Sequence, residues 1–244
     1  LWTYGETGFH ALAGAIVRES YYKEAMAHAF RIMGEGQLTL TKFLMVTDVP
    51  CDLGNFKHFL EIILARFQPE RDLLIVNDTS NDTLDYTGRK LNHGSKGIML
   101  GIGDPVRELP REYKGHGIPG ISDIRAFCPG CLVISGPSFT DRPELGEELT
   151  AYLNENLADW PMICIVDDAA IAEKQSSFLW TVFTRFDPAH DLYAKSTIVR
   201  NKIRYEGPLV VDARMKPFYP DEVETLPEIS ALVDKRWNEY FPKA

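Results

Sequence analysis

The 244 residues carry 35 acidic and 26 basic side chains, a formal net charge of −9, with 45% of residues hydrophobic and 25% charged. This composition belongs to a globular chain with a sizeable core and excludes the disordered, collagen-like and low-complexity classes. The acidic balance disfavours nonspecific nucleic-acid binding, which needs a basic surface, and no apolar run approaches the roughly 20 residues of a membrane-spanning helix.

The chain opens on Leu1-Trp2-Thr3-Tyr4-Gly5 rather than on methionine and is expected to be a piece of something longer. Tyr22, Ala25, Met26, Ala29, Phe30 and Met33 recur at helical spacing, so a helix burying that face is predicted, ended by Gly34 and Gly36. Residues 42–47 read as a buried strand with Asp48 and Pro50 at its end. Phe56, Phe59, Leu60, Ile63, Leu64 and Phe67 give a second helix, stopped at Pro69, and residues 73–76 a strand. Residues 77–85 are polar and read as a loop before an apolar run at 98–102. Residues 105–120, with three prolines and three glycines, read as a connector. Beyond it come a strand at 131–134 and a helix capped by Asp141, with Pro143 in its first turn and Leu145, Leu149, Tyr152, Leu153 and Leu157 inward. A strand at 162–166, a helix at 176–186, a strand at 209–211 and a closing helix at 232–240 follow. The expected class is α/β: two tandem, related units with helices packed on mixed sheets, over 1–104 and 127–244, joined by 105–126.

The second half copies the first. Residues 42–48 lie opposite 161–167, and Phe59, Arg66, Phe67, Pro69, Asp72 and Leu73 lie opposite Phe178, Arg185, Phe186, Pro188, Asp191 and Leu192, always 119 residues apart. Shared polar positions such as Arg-Phe-x-Pro-x-x-Asp-Leu favour duplication over convergence of two buried strands. Asp48 and Asp167 stand at strand ends, where open α/β sheets hold ligands, but a capping role suits them better. The pairs Arg66/Asp72 and Arg185/Asp191 are expected as structural ion pairs at a helix-to-strand corner.

Four cysteines make no disulfide framework and fit a reducing cytoplasm. Cys128-Pro129-Gly130-Cys131 has the residue types of a redox pair or half a zinc site; no second Cys pair or His-x-x-His accompanies it, and two small thiols beside a turn explain it better. Cys51 and Cys164 read as ordinary turn or core thiols. His93-Gly94-Ser95-Lys96-Gly97 puts a lysine between glycines that let a backbone approach an anion, so a phosphate is a candidate ligand, although the P-loop pattern is absent. Asp82 and Asp85 could bind cations, or simply belong to a solvated loop. No catalytic or metal-ligating triad can be assembled.

Gly8-Phe9-His10-Ala11-Leu12, Lys23-Glu24-Ala25, residues 42–48, Ala65-Arg66-Phe67-Gln68-Pro69-Glu70-Arg71-Asp72 and Asn92-His93-Gly94-Ser95-Lys96 resemble, in order, the C-terminal domain of the UbiD-type decarboxylases. Thr184-Arg185-Phe186-Asp187-Pro188-Ala189-His190-Asp191 and Val211-Asp212-Ala213 resemble it again. The doubled region is similar to a longer subfamily of menaquinone-biosynthesis decarboxylases. The resemblance implies a carboxy-lyase acting reversibly on an aromatic or α,β-unsaturated acid with prenylated FMN, supplied by a flavin prenyltransferase. It implies that flavin ring, metal ion and acidic catalytic groups are held mainly by an N-terminal part, so that this chain alone is inactive and carries no identifiable catalytic residue. It assigns Lys96 to the cofactor phosphate, with Gly94 and Ser95 beside it. In the second copy Glu206-Gly207-Pro208 stands where the first has Gly94-Ser95-Lys96, so that copy is expected to be structural. Met99-Leu100-Gly101 departs from the family's Gly-Leu-Asp-Ala. A homo-oligomer is expected. The alternative is a non-catalytic oligomerisation scaffold that kept the fold.

Overall fold

The structure, a computed structural model, describes residues 1–152, 155–221 and 225–241. In chain order the first copy forms β1 (Trp2–Thr3), β2 (Leu12–Ile16), α1 (Glu24–Met33), β3 (Phe43–Thr47), α2 (Phe56–Arg66), the single turn α3 (Pro69–Asp72), β4 (Leu73–Ser80) and β5 (His93–Gly101). The second forms β6 (Asp123–Cys128), β7 (Cys131–Ser135), α4 (Leu145–Tyr152), α5 (Glu155–Ala158), β8 (Met162–Val166), α6 (Gln175–Thr184), β9 (Leu192–Val199), β10 (Lys202–Asp212) and finally α7 (Pro227–Tyr240). These make two five-stranded mixed sheets of one topology, β1-β2-β3-β5-β4 and β6-β7-β8-β10-β9. In each, three central strands run parallel and the two edge strands antiparallel to their neighbours. β2 and β7, β3 and β8, α2 and α6, and β4 and β9 all begin 119 residues apart. The offset then changes, because Gly97 pairs with Phe43 whereas Leu209 pairs with Met162. The cause is the connection before the last strand: twelve residues, 81–92, in the first copy and two, Arg200-Asn201, in the second.

Strand alternation sends side chains to opposite faces. Leu44 and Val46 of β3 pack under α1 against Ala25 and Ala29, while Phe43 and Met45 face a core shared with the second copy. In β8 Ile163 and Ile165 pack under α4, and Met162, Cys164 and Val166 face the shared core. That core is aromatic. Phe56 has Tyr4, Phe127, Phe178 and Phe183 around it at ring distances of 5.1, 6.3, 6.2 and 5.7 Å, and Phe127 stacks on Phe178 at 3.6 Å. Each such burial stabilises by about 1.5–3 kcal/mol. Reciprocal bonds seal the seam: Lys57 Nζ donates to the Ala172 carbonyl at 3.3 Å and Gln175 Nε2 to that of Gly54 at 2.9 Å.

Several elements differ from expectation. α1 starts at Glu24 because Lys23 takes a left-handed backbone (φ 62°) and sends its ammonium to Asp72 at 2.5 Å. Tyr22 therefore stays outside the helix, and Phe30, about 100° around from Ala29, is also exposed. β4 runs on through Asn77–Ser80 rather than looping out, and β5 begins at His93, ahead of the apolar run at 98–102. Pro69 opens α3 rather than merely stopping α2. Asp141 does not cap α4; its carboxylate accepts the Ser138 hydroxyl at 2.7 Å and the helix begins at Leu145. Leu145, Leu149 and Leu157 are buried, while Leu153 and the side chain of Tyr152 lie outside the described part. Sheet two begins at Asp123, inside the stretch read as connector. α7 does not close anything: none of its residues is buried, and Ile229, Leu232, Val233, Trp237 and Tyr240 form an exposed stripe. Among the described residues no helix is long and apolar enough to cross a membrane.

Candidate functional site

A cavity of about 190 Å³ opens where the first copy meets α6. Its polar side is His10, Lys42, Asp82 and Asp85; its apolar side is Leu84, Tyr86 and, from the second copy, Trp180. Four segments deliver these groups. His10 precedes β2, Lys42 precedes β3 and donates its N–H to the His10 carbonyl at 2.8 Å, Asp82 to Tyr86 come from loop 81–92, and Trp180 from α6.

Lys42 is only 1% exposed. Its ammonium meets Asp85 Oδ2 at 3.1 Å and Thr87 Oγ1 at 3.4 Å and sits over the Phe186 ring. Asp85 is braced in turn by the Thr87 N–H and hydroxyl at 2.9 and 2.6 Å. The loop aspartate is thus no solvated side chain, and the cation it faces is the protein's own. His10 Nδ1 contacts Asp82, which also accepts the Leu84 N–H at 2.9 Å. Burial alone would raise the Asp82 carboxyl, but the His10 hydrogen bond, the Leu84 N–H and the imidazole's charge together hold it below its ordinary value. A carboxylate on Nδ1 selects the tautomer that leaves a lone pair on Nε2. Phe9, edge-on to the imidazole at 5.3 Å, takes a positive φ of 80°, a strained setting for a side chain of that size.

Lys96 lies behind this face, 8% exposed. Among the described residues its one hydrogen-bond acceptor is the Thr41 carbonyl, at 2.9 Å. Burial lowers its pKa from 10.5 to about 8, with Asp85 pulling the other way. An ammonium has three N–H donors, so two of Lys96's are left without a protein acceptor among the described residues. Buried polar atoms lacking partners gather in the same region: His10 Nε2, Thr41 Oγ1 and Asn81 Oδ1. Buried polar groups are normally paired. Lys42 is already matched by Asp85 and His10 by Asp82, so the groups that would hold the phosphate of a mononucleotide are the two donors left on Lys96 and the Thr41 hydroxyl. Gly97 is obligatory here, since a Cβ would fall 2.3 Å from the Phe43 ring. Ser95 is spent on the other copy: its hydroxyl donates to Asp187 at 2.5 Å and accepts the Ala189 N–H at 2.8 Å.

The second copy does not carry these side chains. At the register of the sheets, Pro129 stands for His10, Pro161 for Lys42 and Pro208 for Lys96. The polar loop is reduced to a tight turn. From sequence only the last proline reads as a replaced lysine; Pro161 already lies opposite Lys42 in the 119-residue register, and carrying that register back to Pro129 would mark His10 as well.

The remaining candidates have structural settings. Asp48 accepts the Gly103 N–H at 3.1 Å, and its counterpart Asp167 accepts that of Met215 at 2.8 Å, tying corresponding strand ends. The expected Arg66/Asp72 and Arg185/Asp191 pairs do not form. Asp72 and Asp191 instead accept the N–H four residues back, from Gln68 at 3.0 Å and Asp187 at 2.7 Å, and pair with Lys23 and Lys216. Arg66 donates to the Gly103 and Ile62 carbonyls, and Arg185 to Asp167. A carboxylate that closes its own turn points away from the preceding arginine. Cys128 and Cys131 face each other across a hairpin as buried free thiols, and burial pushes Cys131 up. Cys164 is buried core and Cys51 partly exposed. Among the described residues, no three His, Cys, Asp or Glu side chains converge as metal ligands.

Residues 1–101 match the family model of the 3-octaprenyl-4-hydroxybenzoate carboxy-lyase C-terminal domain. The first copy is thus similar throughout its length to the UbiD C-terminal domain. Relatives match across both copies. An uncharacterized protein of Chlamydia trachomatis is 51% identical over 243 residues, and a Chlamydia pneumoniae protein named as a subunit of 4-hydroxybenzoate decarboxylase is 49% identical over 243. In each case 98% of this chain and 41% of the relative are covered, so the chain spans about two-fifths of these relatives' length. Among solved structures, the UbiD-class enzyme HmfF from Pelotomaculum thermopropionicum, in complex with FMN, aligns at 20% identity and a TM-score of 0.35 over 45% of this chain and 24% of its own. Within the UbiD unit, His10, Lys42 and Lys96 are what the second unit lacks; the cavity of about 150 Å³ beside Pro161 and Pro208 carries none of the three.

Proposed function

We propose that this chain is the C-terminal region of a UbiD-like carboxy-lyase, which reversibly decarboxylates an aromatic or α,β-unsaturated acid with prenylated FMN made by a flavin prenyltransferase. A naphthoate-type menaquinone precursor is one candidate substrate, and the assembled enzyme is a homo-oligomer. The supporting observation is the loss, as three prolines, of His10, Lys42 and Lys96 together in the copy that keeps the fold.

Prenylated FMN, when bound, supplies the chemistry by which the carboxylate leaves as carbon dioxide. The chain's own residues do simpler things. Lys96 donates to the phosphate with the two N–H groups that Thr41 leaves over. Lys42, neutralised by Asp85, keeps the cleft floor from becoming a second unpaired charge. His10 presents Nε2 as acceptor or, when protonated, as donor to a polar group of the substrate. Leu84, Tyr86 and Trp180 keep water off it.

The test uses the complete protein co-expressed with a flavin prenyltransferase, following carbon dioxide from a panel of aromatic carboxylic acids. Release above a prenyltransferase-free control is expected. Lys96→Ala is expected to lower the flavin bound per protein more than the rate per bound flavin; full occupancy in that variant overturns the phosphate role. No flavin and no release would favour the oligomerisation scaffold, for which the unburied stripe of α7 is the argument.

A further inference from the structure

We infer that Asp187, in the copy that lost the site, is a positioning residue for Lys96 in the copy that kept it; the inference rests on the phosphate role proposed above. Lys96 stands at an irregularity. The β4–β5 ladder runs regularly to Val76 opposite Lys96 and resumes only with Thr79 opposite Gly94. Bulges bend a strand and re-aim its side chains, and they leave backbone groups without a ladder partner. At this bulge the Ser95 N–H goes to Asp187 Oδ2 at 3.1 Å, and the Ser95 hydroxyl to Asp187 Oδ1 at 2.5 Å. One carboxylate therefore takes both donors of the residue beside Lys96. Asp187 and Ser95 are 1% and 0% exposed, so water does not compete.

The carboxylate is itself held, by the Ala189 N–H at 3.0 Å and by His190 Nδ1 at 2.9 Å. Ala189 N–H also reaches the Ser95 hydroxyl, closing a ring of three groups across the seam. Gly94 completes the fit: a Cβ there would lie 2.3 Å from Asn81 Nδ2 and 3.3 Å from Asp187. The first copy has Gln68 where the second has Asp187. A glutamine offers a neutral amide in place of two carboxylate oxygens, so the clamp works in one direction only. The second copy thus contributes a wall, Trp180, and an anchor, Asp187, to a site it no longer owns.

The experiment measures FMN affinity in the complete protein for wild type, Asp187→Asn, Ser95→Ala, Lys96→Ala and the double variant Asp187→Asn/Lys96→Ala. Asp187→Asn puts an amide against one of the two Ser95 donors and should weaken FMN binding about tenfold, with Ser95→Ala smaller in the same direction. In the Lys96→Ala background, Asp187→Asn should cost nothing further, because the lysine it positions is gone. A loss that persists undiminished in that background would make Asp187 merely structural and overturn the inference. Unchanged affinity in Asp187→Asn would also overturn it, while a weakened Lys96→Ala would leave the phosphate role standing. If Asp187→Asn does not fold, Ser95→Ala with and without Lys96→Ala decides by the same rule. Unchanged affinity in Lys96→Ala itself overturns the phosphate reading and this inference with it.

Discussion

Lys96 is a buried amine whose charge is its use. With a pKa of about 8 instead of 10.5 it gives up its proton more easily than an exposed lysine, because burial penalises the ammonium. Binding a phosphate requires the charged form, so in the free protein the competent fraction shrinks as pH rises through about 8. FMN affinity of the complete protein should therefore hold below that pH and fall from about 8 toward 10.5. In Lys96→Arg, where the cation persists, the decline should vanish. A parallel decline in both would place the titrating group elsewhere. Sequence alone found this lysine through its glycine-flanked block, yet it missed His10 and Lys42. Nothing local distinguishes a lysine that starts a strand from one that ends a loop; only folding of residues 81–92 over it reveals Asp85 as its partner.

The element that makes the difference between the copies is that twelve-residue loop. It carries Asp82, Asp85 and Thr87 inward, and Asp85 is 9% exposed beside a 1% exposed ammonium. Burying such a pair gains little, but removing one member strands the other. Asp85→Ala should cost about 3–5 kcal/mol, read as a lowered urea midpoint, and Lys42→Met added to it should recover most of the loss. If the double variant is as unstable as the single, the loop stabilises by packing rather than by neutralising Lys42. Elements of this kind explain what could be read beforehand. The central strands at Phe43–Thr47, Cys131–Ser135 and Met162–Val166 are buried on both faces and show as apolar runs. β9 and the far end of β4 are half in water, carry Lys195, Ser196, Asn77 and Asp78, and look like loops until their partner strands are in place. Likewise the 3.6-residue period found α1 but not its start, because Lys23 turns out of the helix to reach Asp72, a residue 49 positions away.

Taken whole, the molecule is two sheets closed over one aromatic core. Phe43, Phe56 and Phe59 come from one copy, Phe127, Phe178, Phe183 and Phe186 from the other, and no dividing layer separates them. Phe178→Ala should cost about 3–5 kcal/mol. Because that cavity opens at the seam, both copies should still melt in one transition, with the fluorescence of buried Trp160 and the far-UV circular dichroism coinciding. Two separated transitions would show that each copy folds by itself. The duplicate register at 119 residues was legible because polar corner residues recur with the apolar ones. The shared core was not, since a phenylalanine facing its own sheet and one facing the neighbour's have the same spacing.

The two-residue turn at Arg200-Asn201 also bears on how the copies diverged. That turn carries no aspartate, so it supplies no counterpart of Asp85 to position 161. A change of Pro161 to lysine alone would place an ammonium in a cavity whose carboxylates are Glu70 and Asp159 rather than a counterpart of Asp85. Rebuilding the site in the second copy therefore takes a loop as well as three side chains, since the partner of the first copy's buried ammonium comes from a connection the second copy does not have.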